Sequence, residues 1–196
     1  MNKARLEAFS DAVIAIIMTI MVLELKIPHG ADLAALRPLL PVFLAYILSF
    51  VYLGIYWNNH HHMLQATRTV NGKVLWANLL LLFWLSLVPF ATGWMGENHF
   101  EPLPTAVYGF DLFMCAISYT LLQSKLTKHS EGENTLLAEA VGIDIKGKIS
   151  LALYLIAIGL AFVQKNISHF IYLFVALMWF IPDRRIERRI TSSIVK

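Results

Sequence analysis

Six apolar runs, separated by short polar stretches, organise the chain. They fall at about 8–27, 41–63, 74–95, 105–126, 149–163 and 167–181. A helix needs about 20 mainly apolar residues to cross a bilayer. The first four runs meet that length, and the last two lie near its lower limit. Only Gln164, Lys165 and Asn166 separate those two, which predicts a tight turn at the far interface. The pattern predicts an all-α polytopic membrane protein, with six transmembrane helices in one domain over 1–196.

The first run opens with charge. Arg5, Glu7, Ser10 and Asp11 precede a long apolar stretch. Arg5 and Asp11 cannot face lipid, because a charge at helix centre costs at least about 2.5 kcal/mol. They are expected to meet partners inside the protein, Asp11 in a buried hydrogen-bonded network. Residues three, four and seven apart share one helix face. One such stripe holds Ile16, Thr19 or Ile20, Leu23 and Ile27. It could pack against other helices, or it could form an apolar constriction that gates a pore by dewetting. Periodicity leaves both readings open.

The second run ends Trp57-Asn58-Asn59-His60-His61-His62, and the third begins near Trp76 and Asn78. Consecutive helical residues point about 100° apart, so three successive histidines cannot converge on one ion. No His-x-x-x-His pair or nearby cysteine accompanies them. Neither a metal site nor a cofactor is expected. One or two histidines are expected to bond Asp11, Asn78 or backbone, since the inner ends of the first three runs share a side.

Composition sharpens the membrane reading. The 196 residues are 58% hydrophobic and 15% charged, against roughly 45–50% and 25% in a soluble domain. A soluble enzyme and a nucleic-acid binder are excluded on that ground. The net charge of +3 does not restore nucleic acid as a partner, because the basic residues lie at the ends of apolar runs. Cys115, the sole cysteine, precludes an internal disulfide. Charge before the first run and the absence of a small-residue cleavage site argue against a signal peptide.

With the N-terminus inside, 13 of 16 lysines and arginines fall on the inner side. Only Lys26, Arg37 and Lys165 fall outside. This asymmetry predicts a plasma (inner) membrane protein with both termini cytoplasmic. The polar segment 127–148 is expected to be a cytoplasmic loop with a short amphipathic helix. The arginines from Arg184 to Arg189 are expected to anchor the topology as a stop, with contact to anionic lipid as the further reading.

The motif Arg5-x-x-x-Phe9-Ser10-Asp11 on a first transmembrane helix resembles the signature of the transmembrane protein 175 family of potassium channels. Trp57-x-x-His60-His61, Asn78 and Pro89-Phe90 are similar to further family positions. Leu64 and His62 depart from it, standing where phenylalanine and arginine are common. The resemblance covers about 5–90. It implies a pore lined by the first helix, with constricting layers at Ile16, at Thr19 and Ile20, and at Leu23. It also implies that Arg5, Ser10 and Asp11 hold this helix against His60, Trp76 and Asn78. The motif occurs once, so a homotetramer is implied.

The function expected is conduction of potassium ions down their gradient, with selectivity resting on the Thr19 hydroxyl. Glu24, Glu97 and Glu101 could concentrate cations outside, although Glu24 could equally pair with Lys26. The alternative is a proton- or cation-coupled secondary transporter using Asp11 with His60 or His61. No Gly-x-Ser-x-Gly or His-Glu-x-x-His motif supports an intramembrane enzyme. Residues 91–96 faintly resemble a potassium-selectivity loop but read as the end of the third helix.

Overall fold

The computed structural model describes residues 3–67, 69–130 and 144–180. These form six α-helices: α1 (Ala4–Ile20), α2 (Leu40–Gln65), α3 (Gly72–Glu97), α4 (Pro102–Ser130), α5 (Ile145–Leu160) and α6 (Lys165–Phe180). Two 3-10 segments, Met21–Glu24 and Leu33–Leu39, lie between α1 and α2. The arginine-rich tail and most of the expected loop helix lie outside the described residues.

Four helical stretches are long and apolar enough to cross a membrane: Ala4–Glu24, Leu33–Gln65, Gly72–Glu97 and Pro102–Lys128. The last two helices are shorter, at 16 residues each. At about 1.5 Å per residue, each falls short of a hydrocarbon core about 30 Å thick. Their turn also comes sooner than the polar residues suggest. Leu160 O accepts from Val163 N (3.0 Å) and Gln164 N (2.7 Å), which winds the chain up before Lys165. Residues 127–130, expected in a loop, extend α4.

Short loops impose antiparallel neighbours. Asn71 caps α3 by accepting from Val74 N at 3.0 Å. Between α3 and α4, His99 and Phe100 take left-handed backbone angles, with φ of 50° and 58°. Asn98 supports that turn by donating to Trp94 O at 2.8 Å. Residues 91–96 lie within α3, as the end of a helix.

α3 is the central helix. It packs most extensively on α4 and also receives α1 and α2. α5 and α6 complete the far side, against α4 and each other. α1 packs chiefly on α2 and α3, at the edge of the bundle. Leu6, Ile14, Ile17 and Met21 of α1 join a first apolar cluster with α2, α3 and α4. A second cluster joins Tyr52, Met95, Tyr108, Leu112, Tyr154 and Tyr172. Its polar atoms bond internally. Thr92 donates to Ser49 (2.6 Å), Ser49 meets Tyr108 (3.0 Å), and Tyr52 donates to Tyr172 O (2.5 Å).

At Gly96 the backbones of α2 and α3 lie close together. A Cβ there would lie 2.6 Å from Val42 Cα, whereas at Gly54 it would meet nothing within 4 Å. Backbone cannot yield as a side chain does, so Gly96→Ala is expected to destabilise the fold by about 1–3 kcal/mol. Gly54→Ala is expected to be neutral or slightly stabilising. Thermal unfolding of both variants in one detergent checks this contrast.

Candidate ion-conduction helix

Two faces of α1 have opposite fates. Leu6, Ser10, Ile14, Ile17 and Met21 are buried. Their spacing of three and four residues keeps them on one side of the helix. Phe9, Ile16, Thr19, Ile20 and Leu23 are exposed. Ile16 is 56% exposed and Leu23 77%. Nothing else in the described chain covers this apolar stripe. Ile27, which extends the stripe in sequence, lies beyond the helix in extended chain.

The buried face is fixed by a directional hydrogen-bond relay. Ser10 Oγ donates to Leu6 O at 2.8 Å. Asn78 Nδ2 donates to Ser10 Oγ at 2.9 Å. With its amide nitrogen engaged, Asn78 presents Oδ1 to His60 Nε2 at 2.7 Å. His60 must therefore carry its proton on Nε2. All three side chains are buried. One carboxamide thus ties α1 to α2 and α3.

A second set of ties runs up the edge of α1 toward α2. Lys3 Nζ donates to Leu64 O (3.0 Å) and Gln65 O (3.2 Å), carbonyls at the α2 C-terminus. Glu7 lies 3.5 Å from His61 Nδ1. Asp11 accepts from Trp57 Nε1 at 3.0 Å. Lys3, Glu7 and Asp11 are four apart, as are Trp57 and His61, so two matched edges face each other. Trp57 stacks on His61, with ring centroids 5.9 Å apart.

These contacts revise the expected network. Asp11 meets Trp57 rather than His60, Asn78 or Trp76. Trp76 is 75% exposed. It precedes Asn78 by two residues, a rotation of about 200°, so the two cannot face α1 together. Arg5 is exposed and pairs with no acid among the described residues. Phe9 lies on the open face. Lys3, Trp57 and His61 were the missing partners. The four-residue spacing of Glu7 and Asp11 against that of Trp57 and His61 is the signal that could have found them.

Thr19 Oγ is within reach of Ala15 O (3.0 Å) and Ile16 O (2.9 Å). Its proton is directed into the helix, which leaves oxygen lone pairs facing outward. Beyond the stripe, three acids differ in their surroundings. Glu97 pairs with Lys26 at 2.5 Å and Glu101 with Lys165 at 2.6 Å. The hydrogen bond it donates to Glu97 holds the Lys26 ammonium above the usual lysine range. Glu24 instead lies against Gly93, where a Cβ would be 3.0 Å from its Oε2. It lines an open groove between α1 and α3 with Val13, Ile16, Ile20, Pro89 and Phe90.

The profile of the endosomal/lysosomal potassium channel TMEM175 matches residues 5–89. A potassium channel of Chryseobacterium sp. (strain P1-3) is 55% identical over 193 residues, spanning 98% of this chain and all of the relative. The chain belongs to the TMEM175 family. A potassium channel of Streptomyces collinus is 30% identical, over 86% of this chain and 87% of the relative. The human endosomal/lysosomal proton channel TMEM175 is 33% identical over 103 residues, 46% of this chain and 20% of its own length. The crystal structure of a lysosomal potassium-selective TMEM175 homolog from Chamaesiphon minutus superposes with a TM-score of 0.79 at 28% identity. That match covers 92% of this chain and 97% of the homolog. The matched residues include the relay, the Glu7 and Asp11 ties to α2 and the stripe, but not Lys3.

Removing the central carboxamide strands two buried partners. Asn78→Ala is expected to destabilise the protein by about 1–3 kcal/mol. Trp57→Phe, which deletes one N–H at a more open site, is expected to cost less. Unfolding midpoints in the same detergent compare them.

Proposed function

We propose that the chain is a potassium channel whose pore is lined by the open face of α1 in a homotetramer. The observation that carries this reading is the apolar stripe Ile16, Thr19, Ile20 and Leu23, left uncovered while the opposite face of α1 is pinned. A single chain supplies one such face, and a closed symmetric ring buries four. The bacterial relatives named as potassium channels support the choice of ion.

In this reading six helices span the plasma membrane, the bilayer thinning at the shorter α5 and α6, with both termini cytoplasmic and the relay at the inner end. Lipid surrounds the bundle. Ile16, Ile20 and Leu23 form apolar constrictions that conduct when hydrated. Four Thr19 oxygens replace part of the ion's hydration shell. At the outer end, Glu24 and Glu97 outweigh Lys26 by one negative charge per subunit, which raises local cation concentration.

The transporter reading needs Asp11 in a proton relay with His60 or His61. Trp57, a donor that does not titrate, holds Asp11, and His60 is committed to Asn78.

Purified protein in liposomes under a potassium gradient tests the proposal. Ile16→Asn and Leu23→Asn are expected to raise flux several-fold by wetting the constriction. Thr19→Ala is expected to lower the preference for potassium over sodium. Absence of flux from wild type and both asparagine variants, each still tetrameric, would falsify the channel reading.

A further inference from the structure

The conduction reading makes no use of one buried acid. Asp111 lies within α4, at 4% exposure, and neither carboxyl oxygen has a hydrogen-bond partner. No cation approaches from the helices packed around it. Lys73 and Glu97, the charged residues of α3, sit at its ends. α5 carries Lys146 and Lys148 in its first turn, and α6 carries Lys165 and His169 in its first two turns. The titratable groups of α2 other than tyrosines, His60, His61 and His62, lie near its C-terminus, and Lys125 and Lys128 lie near that of α4. The groups within electrostatic reach of Asp111 are Tyr56 on α2, with Tyr108 and Cys115 on α4.

An ionised carboxylate in such a place has nothing to replace its lost hydration. A proton removes the charge and converts one oxygen to a donor. A route for that proton lies nearby. A cavity between α2, α4, α5 and α6 is lined by Tyr52, Tyr56, Asn59, Thr120, Ser150 and Trp179. It reaches Asp144, before the first turn of α5, at the end of the bundle where α1 begins. Three of its polar side chains donate to backbone carbonyls. Asn59 donates to Ile55 O (2.8 Å), Thr120 to Ala116 O (2.9 Å) and Ser150 to Lys146 O (2.8 Å). The wall is mostly apolar, with the Asn59 carboxamide and the Thr120 and Ser150 hydroxyls as polar points; Ser150 Oγ also accepts from Trp179 at 2.8 Å, and Asp111 itself does not line the cavity. Tyr56 belongs to both places, lining the cavity and lying within reach of Asp111.

We propose that Asp111 is a proton-binding site in each subunit, loaded from solvent through this cavity past Tyr56 and separate from the α1 conduction path. The site is occupied at neutral pH, and its proton keeps α4 seated in the second apolar cluster.

Infrared difference spectroscopy of the full chain at neutral pH tests this without any flux measurement. Wild type is expected to show the carbonyl band of a buried protonated carboxylic acid, which Asp111→Asn lacks. Carboxyl-13C aspartate is expected to move the same band to lower frequency, so the assignment survives if the variant fails to fold. Transfer to D2O is expected to shift the band, and Ala116→Phe, which fills the cavity, to slow that shift several-fold. A band absent from wild type, or unmoved by the aspartate label, overturns the proton site. A band that never shifts in D2O, or shifts equally fast in Ala116→Phe, overturns the route.

Discussion

In a bilayer, lipid tails solvate an apolar helix as well as another helix does, so apolar matching alone cannot decide which face of α1 turns inward. Asn78 supplies the decision. Its carboxamide donates to Ser10 on α1 and accepts from His60 on α2 while sitting on α3. The polar edge of Lys3, Glu7 and Asp11 against the end of α2 sets the rotation independently. Both devices act on the first half of α1. The second half, where the stripe lies, is held by Ile14, Ile17 and Met21 in the first cluster. A rigid start and an apolar continuation leave the opposite stripe available to other subunits and to ions.

The helices were legible because apolar runs of span length admit little else in a chain this hydrophobic. Their ends were less so. Backbone bonding wound the chain to Gln164 before α6, although the polar residues centred on Lys165. The importance of Ser10, Asn78 and His60 was visible as polar groups at the same end of three apolar runs. Their pairing was not, because it depends on rotation about each helix. His60 and Trp57 differ by three residues on α2, yet one serves Asn78 and the other Asp11. Trp76 and Asn78 differ by two and face apart. Asp111 was legible as an acid within an apolar run, which is costly in a bilayer; that both its oxygens lack a partner depends on the packing around α4.

The bundle separates two kinds of buried polarity. At the start of α1 the relay is directional, and each donor has a named acceptor. In the second cluster, hydroxyls from Ser49, Tyr52, Thr92 and Tyr108 bond among themselves or to backbone. Asp111 remains without a partner among them. The first arrangement fixes geometry, and the second accommodates a group that changes charge. Both draw on α2 and α3, but Asp111 lies on α4, which contributes nothing to the relay that orients α1.

Cysteine accessibility along α1 tests the central claim most directly. Cys115 is buried and is the chain's sole native cysteine, so its background reaction is low. Single cysteines at Ile14, Ile16, Ile17, Thr19, Ile20 and Leu23 would be exposed to a charged thiosulfonate in proteoliposomes while potassium flux is followed. The account predicts reaction and altered flux at 16, 19, 20 and 23, with 14 and 17 protected. Reaction at 14 and 17 with the stripe silent would contradict it.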